Sequence, residues 1–302
     1  MNPIIQFLKT KYNQGEMHVR LILINGVVFV ALLLVSILIK ALSPEFELAS
    51  YVAAPSSFSE FLFQPWSIFT YMFAHSLTSI WHIVWNMVLL YFAGNIFKYY
   101  LGNKKMLSVY LAGGIVGYLF FALGYNLIPA IDGEGFLIGA SAAVLAVFVA
   151  IGVAKPNMEI KIMFIPQPVK LVYIVGVFVV LDLIRLQSSM GVYGANTGGW
   201  LAHLGGTFLG AIYGHQIRQG KNILKYFEKF LDSLFSIDLG VFFVKKKSKM
   251  KVKRGGASTK QKVAKVNQKK IQDLDLILRK VKQSGYSSLT KEEKEKFFSQ
   301  TK

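Results

Sequence analysis

Gly139-Ala140-Ser141-Ala142-Ala143 stands at the mouth of an apolar run from Leu137 to Ala154, and the reading of this stretch decides the fold. It sets one hydroxyl among residues too small to cover it, at the start of a segment otherwise apolar enough for lipid. A serine in such a helix can return its hydroxyl to a carbonyl one turn earlier, so alone it reads as packing. Two other stretches alter that reading. Trp81-His82-Ile83-Val84-Trp85-Asn86 comes earlier and Ala202-His203-Leu204-Gly205-Gly206 later, each near the start of its own apolar run. Three polar sites recur at one level of three apolar segments.

The surroundings of these runs are those of a membrane. The chain has 302 residues, 53% hydrophobic and 14% aromatic, with a mean hydropathy of +0.44. That is too apolar for an ordinary soluble domain and long enough for several spans of about 20 residues. Cysteine is absent, which removes disulfides, thiolate zinc sites and cysteine nucleophiles. Nothing in the sequence calls for a cofactor or a metal.

Outward from the central run, the expected class is all-α and polytopic, with six spans: Leu21 to Leu42, Ile80 to Leu101, Met106 to Ile128, Leu137 to Ala154, Leu171 to Gln187 and Gly199 to Ile217. Residues 1–20 form a polar N-terminal segment, 21–217 the six-helix domain, 218–270 a basic juxtamembrane segment and linker, and 271–302 a short helical motif. Gly113, Gly117 and Gly124 mark one close-packing helix face, and Gly206, Gly210 and Gly214 a second. The links Ser43 to Trp66, Pro129 to Gly135 and Ser188 to Gly198 hold no Lys or Arg, whereas the opposite links and both termini hold several. By the positive-inside rule both termini are cytoplasmic. Arg185 runs against the rule, and is expected to pair with Asp182 three residues earlier.

In this topology the second, fourth and sixth spans all run from outside to inside. His82, Ser141 and His203 then share one layer near the outer surface. Ionisable groups inside a membrane are costly and face the bundle interior, where they mark functional sites. Ser141 has the form of a nucleophile and His203 of the base that takes its proton. No acid accompanies His203 in its own segment, so a dyad is expected. His82 and Asn86, four residues apart on one helical face, can both donate to a developing oxyanion, as can the backbone N–H of Ser141.

The chain resembles the rhomboid intramembrane serine proteases over roughly Phe63 to Gly214. The resemblance rests on Trp66 with Phe69-Thr70-Tyr71-Met72-Phe73-Ala74-His75, on His82-x-x-x-Asn86-Met87, on Gly139-Ala140-Ser141, and on Gly198-x-x-x-Ala202-His203-x-x-Gly206-x-x-x-Gly210. It implies a six-helix core, Ser141 as nucleophile, His203 as base, and His82, Asn86 and the Ser141 backbone as oxyanion hole. It also implies that Ser43 to Trp66 is an interfacial first loop and that Ser188 to Gly198 caps the site. Three positions depart from the family pattern: Ala142 follows the serine in place of glycine, Ser67 follows Trp66 in place of arginine, and Leu145 replaces an aromatic residue set against the histidine. These departures bear on rate rather than on reaction type.

The partners expected are transmembrane protein substrates and membrane lipid. From Arg218 onward the chain carries 23 Lys or Arg against 8 Asp or Glu, fifteen of its eighteen net positive charges. Phe242 to Lys270 reads as a flexible basic linker lying on anionic headgroups. It has no aromatic interleaving, and no nucleic acid is expected. Thr290 reads as the N-cap of a short last helix. The motif from Ile271 onward resembles one found in a group of bacterial rhomboid relatives, so the expected location is a bacterial inner membrane. A catalytically weak or inactive membrane-helix binding protein is the alternative to an enzyme.

Overall fold

A computed structural model describes Gln6 and residues 16–131, 133–161, 166–192, 196–236, 276–283, 285 and 288–294. The chain divides into two compact units, Met1–Ile237 and Asp238–Lys302.

The first unit opens with α1 (Met17–Leu42), followed by two short helices, α2 (Leu48–Val52) and α3 (Phe58–Phe63), with strand β1 (Ala54–Pro55) between them, and by α4 (Ser67–Thr70). Next come α5 (Ile80–Leu101), α6 (Asn103–Leu127), strand β2 (Phe136–Leu137) and α7 (Ser141–Ala154). The unit closes with the hairpin β3 (Glu159–Ile160) and β4 (Val169–Lys170), then α8 (Leu171–Ser189), α9 (Thr197–Arg218) and α10 (Lys225–Ser236). Among the described residues four helices, α1, α5, α6 and α8, are long and apolar enough to cross a membrane. Helix α7 is apolar but has 14 residues, about 21 Å at 1.5 Å per residue.

The central run begins its helix later than the sequence suggests, at Ser141 rather than Leu137. Gly139 has φ +123°, which cannot continue a right-handed helix. Its N–H donates to the Tyr71 carbonyl at 2.9 Å, and Phe136–Leu137 pairs antiparallel with Ala54–Pro55. The first loop is thus joined to the entry of α7 through backbone. Side chains fasten it further: the Tyr71 hydroxyl donates to the Gly114 carbonyl at 2.6 Å, the Thr70 hydroxyl to Val52 O at 2.8 Å and Trp66 Nε1 to Tyr51 O at 3.0 Å. Leu62 and Phe63 remain 77% and 84% exposed on this loop, an apolar surface suited to the membrane interface.

Every residue from Ala142 to Gly152 is buried, as expected of a helix apolar all round. Glycine on its neighbours permits this. A Cβ on Gly206 would lie 2.1 Å from the Ala142 carbonyl oxygen, one on Gly210 2.6 Å from that of Ala146, and one on Gly214 2.4 Å from that of Ala150. The three contacts advance in step, so α7 and α9 run parallel, backbone against backbone. On the α6 side, a Cβ on Gly113 would lie 2.2 Å from Ala146 Cβ and one on Gly117 2.6 Å from Ala142 Cβ. Lipid tails are as apolar as leucine, so close packing of this kind, rather than the hydrophobic effect, holds such helices together.

Helix α10 is absent from the sequence reading, where net charge averaged over 218–270 concealed its period. Leu231 is buried on one face while Tyr226 and Phe230 are exposed, and Glu228 accepts from Asn222 Nδ2 at 3.0 Å. In the second unit, residues 276–283 form a helix that stops at Gly285, φ +76°. Thr290 then makes a capping box: Glu293 N–H donates to Thr290 Oγ1 at 3.3 Å and Thr290 N–H to Glu293 Oε2 at 2.8 Å. The Lys-rich stretch Phe242 to Lys270 lies outside the described residues.

Candidate active site

Ser141 is the first residue of α7. The helix makes its first internal bond from Val144 N–H to the Ala140 carbonyl at 2.9 Å, so the Ser141 N–H has no partner within the helix. The positive end of the helix dipole lies at the same place. No preceding turn exists to accept the Ser141 hydroxyl. The back-bonded packing serine is therefore excluded by geometry.

Gly139 ties the serine to α5. A Cβ there would sit 2.7 Å from His82 Nε2 and 3.8 Å from Ser141 Oγ. The two groups thus flank the same glycine, with no side chain between them. The backbone N–H of Ser76 approaches His82 Nδ1 at 3.4 Å; in that arrangement Nδ1 accepts, and in the neutral tautomer the ring proton sits on Nε2. Asn86 donates one amide N–H to the His82 carbonyl at 2.7 Å and has a second to offer. His75, in the loop before α5, packs edge-on against His82 with ring centroids 5.2 Å apart. Burial, reinforced by the neighbouring His82, pushes the His75 pKa down to about 4, so it is neutral at pH 7.

His203 follows Ala202 on α9, three residues before the Gly206 contact with Ala142. The sequence reading gave His203 no acid and paired Asp182 with Arg185. The structure corrects both points. His203 Nδ1 lies 3.2 Å from Asp182 Oδ2, and Arg185 lies over the Trp200 ring at 5.0 Å. The reason is helical phase. On α8 the buried positions Leu171, Val175, Asp182, Leu186 and Ser189 form a single stripe, which turns Asp182 inward while Arg185 is exposed. Depth was the overlooked signal. An acid five residues from the outer end of the fifth run lies level with a histidine four residues into the sixth, and an acid at that depth is a functional candidate by default.

The departures noted in the sequence have structural counterparts. The extra methyl of Ala142 fills the space that Gly117 leaves. Leu145 is buried and offers no ring, but Trp200 presents its ring perpendicular to His203, with centroids 5.2 Å apart.

The Rhomboid domain family model matches residues 62–220, the stretch that contains the end of the first loop, all four site residues and the glycine contacts. The chain belongs to the rhomboid family, and it is a multi-pass membrane protein. It is also similar to the RHOMBOID-like protein 12, mitochondrial, of Arabidopsis thaliana, at 30% identity over 169 residues. That match covers 51% of this chain, and the chain spans about half of the relative, 47% of its length.

Proposed function

We propose that the protein is an intramembrane serine endopeptidase that cuts peptide bonds in or beside the transmembrane segments of other proteins. The observation that carries this reading is that His82 Nε2 and Ser141 Oγ both flank Gly139, at 2.7 and 3.8 Å from its ideal Cβ position. A scissile carbonyl bound between these two groups meets the nucleophile and a donor together. Ser141 Oγ attacks the carbonyl carbon and His203 Nε2 takes the hydroxyl proton. The oxyanion accepts from His82 Nε2–H, the free Asn86 N–H and the Ser141 backbone N–H, each worth on the order of 3 kcal/mol. Collapse of the intermediate breaks the C–N bond, and His203 returns the proton to the leaving amine. Water, activated by the same histidine, then hydrolyses the acyl-serine.

In the membrane proposed, six helices cross and both termini are cytoplasmic, a reading supported by the absence of Lys and Arg from the links 43–66, 129–135 and 188–198. The basic tail lies on anionic headgroups, and the resemblance of the C-terminal motif favours a bacterial inner membrane. With α7 about 21 Å long against a hydrocarbon core of about 30 Å, its first residue falls below the outer surface. A substrate helix must unwind to present an extended bond there, because lipid supplies no partners for its backbone. Gly, Ser, Ala or Pro near its outer end lowers that cost. Incubating the purified protein with single-span substrates in liposomes, with products identified by mass spectrometry, tests this. Cuts are expected after a small residue within or just outside the outer third of the span, and should cease when that segment becomes polyleucine. Cuts near the cytoplasmic end, or undiminished cutting of the polyleucine variant, would overturn the reading.

A further inference from the structure

We propose that Asp182 is a positioning residue that holds His203 in the tautomer and orientation of a general base, so that the site works as a serine, histidine and aspartate in series rather than as a dyad. The proposal rests on the protease reading and adds a third member to its machinery. Asp182 is 4% exposed and its Oδ2 lies 3.2 Å from His203 Nδ1. A carboxylate can only accept a hydrogen bond. Nδ1 must therefore carry the ring proton, and Nε2 is left with the lone pair that takes the proton of Ser141. When Nε2 is protonated during attack, the adjacent carboxylate balances the charge of the imidazolium in a setting where little water can do so.

The placement of Asp182 favours this role over a structural ion pair. The nearest cation on its own helix, Arg185, is engaged with Trp200, and Trp200 presents its ring to His203. His203 is thereby held on two sides, by a carboxylate and by an indole, at a site where Leu145 supplies no aromatic ring. One stripe of α8 and one turn of α9 do the work that a ring on α7 would otherwise do.

The test compares wild-type protein with Asp182→Asn, Asp182→Glu and Ser141→Ala, each purified full-length and reconstituted with a single-span substrate over a range of substrate mole fractions. Asn can turn its N–H toward Nδ1 and stabilise the wrong tautomer, so Asp182→Asn should lower kcat by about 10²- to 10⁴-fold, the range of general-base contributions. KM should change less than about twofold, because Asp182 is buried and only 4% exposed. Asp182→Glu keeps an acceptor beside Nδ1 and should recover part of kcat. Wild-type kcat in Asp182→Asn, with Ser141→Ala inactive, would overturn the positioning role and leave the protease reading intact. Equal losses in the Asn and Glu variants would also overturn it, since a merely structural acid would give that result. Activity in Ser141→Ala would instead sink the protease reading on which the proposal rests.

Discussion

Ser141→Ala is expected to abolish cleavage of a reconstituted single-span substrate, a fall in kcat of order 10⁴ or more, while leaving thermal unfolding in detergent within about 0.5 kcal/mol of wild type. The two halves of this result have separate causes. Activity is lost because the hydroxyl that flanks Gly139 beside His82 is removed and alanine offers no nucleophile in its place. Stability is kept because Ser141 is the first residue of α7 and has no preceding turn to bond. The helix's first internal bond runs from Val144 to Ala140 and does not involve the Ser141 side chain. Residual cleavage at the wild-type rate would remove the serine from the chemistry altogether.

Gly206→Ala should be damaging in a different way. Its Cβ would fall 2.1 Å from the Ala142 carbonyl oxygen and 3.0 Å from Ala142 Cα. Backbone cannot swing aside as the end of a side chain can, so α7 and α9 must separate. Overpacking of this kind costs about 1–3 kcal/mol. The same separation draws His203, three residues before Gly206, away from Ser141, one residue before Ala142. A misplacement of about 1 Å is worth on the order of 10² in rate. Activity should therefore fall further than stability does. Gly176→Ala on α8 is the control, because a Cβ there meets nothing within 4 Å and should change neither quantity. A stable and fully active Gly206→Ala would show that this helix contact does not set the site.

The long helices were legible because apolar runs of about 20 residues have few other uses. The second run, Ile80 to Leu101, coincides with α5, and Gly206, Gly210 and Gly214 meet α7 as their spacing suggested. Less legible was whatever depends on neighbours distant in sequence. The late start of α7 follows from β1 pairing with β2 and from the bond between Gly139 and Tyr71, neither of which has a local signature. Among the site residues, Ser141, His82 and His203 could be singled out because each is polar in an apolar run. Asp182 was equally visible but was matched to the wrong partner. Spacing of three along one helix suggested Arg185, whereas the direction of each side chain from the helix axis decided the contact. The role of Gly139 in bordering the site, and that of Ser76 in orienting His82, are properties of a folded loop and are not carried by any pattern in the chain.

The central claim is that Ser141 is a nucleophile activated by His203. The most direct measurement is peptide mass spectrometry of the reconstituted full-length protein after exposure to a fluorophosphonate, which adds covalently to activated serine hydroxyls. The account predicts an adduct on Ser141 in the wild type, with labelling slowed about 10²-fold or more in His203→Ala, the least a general base contributes. An adduct on another serine, or labelling of Ser141 at the same rate without His203, would contradict it.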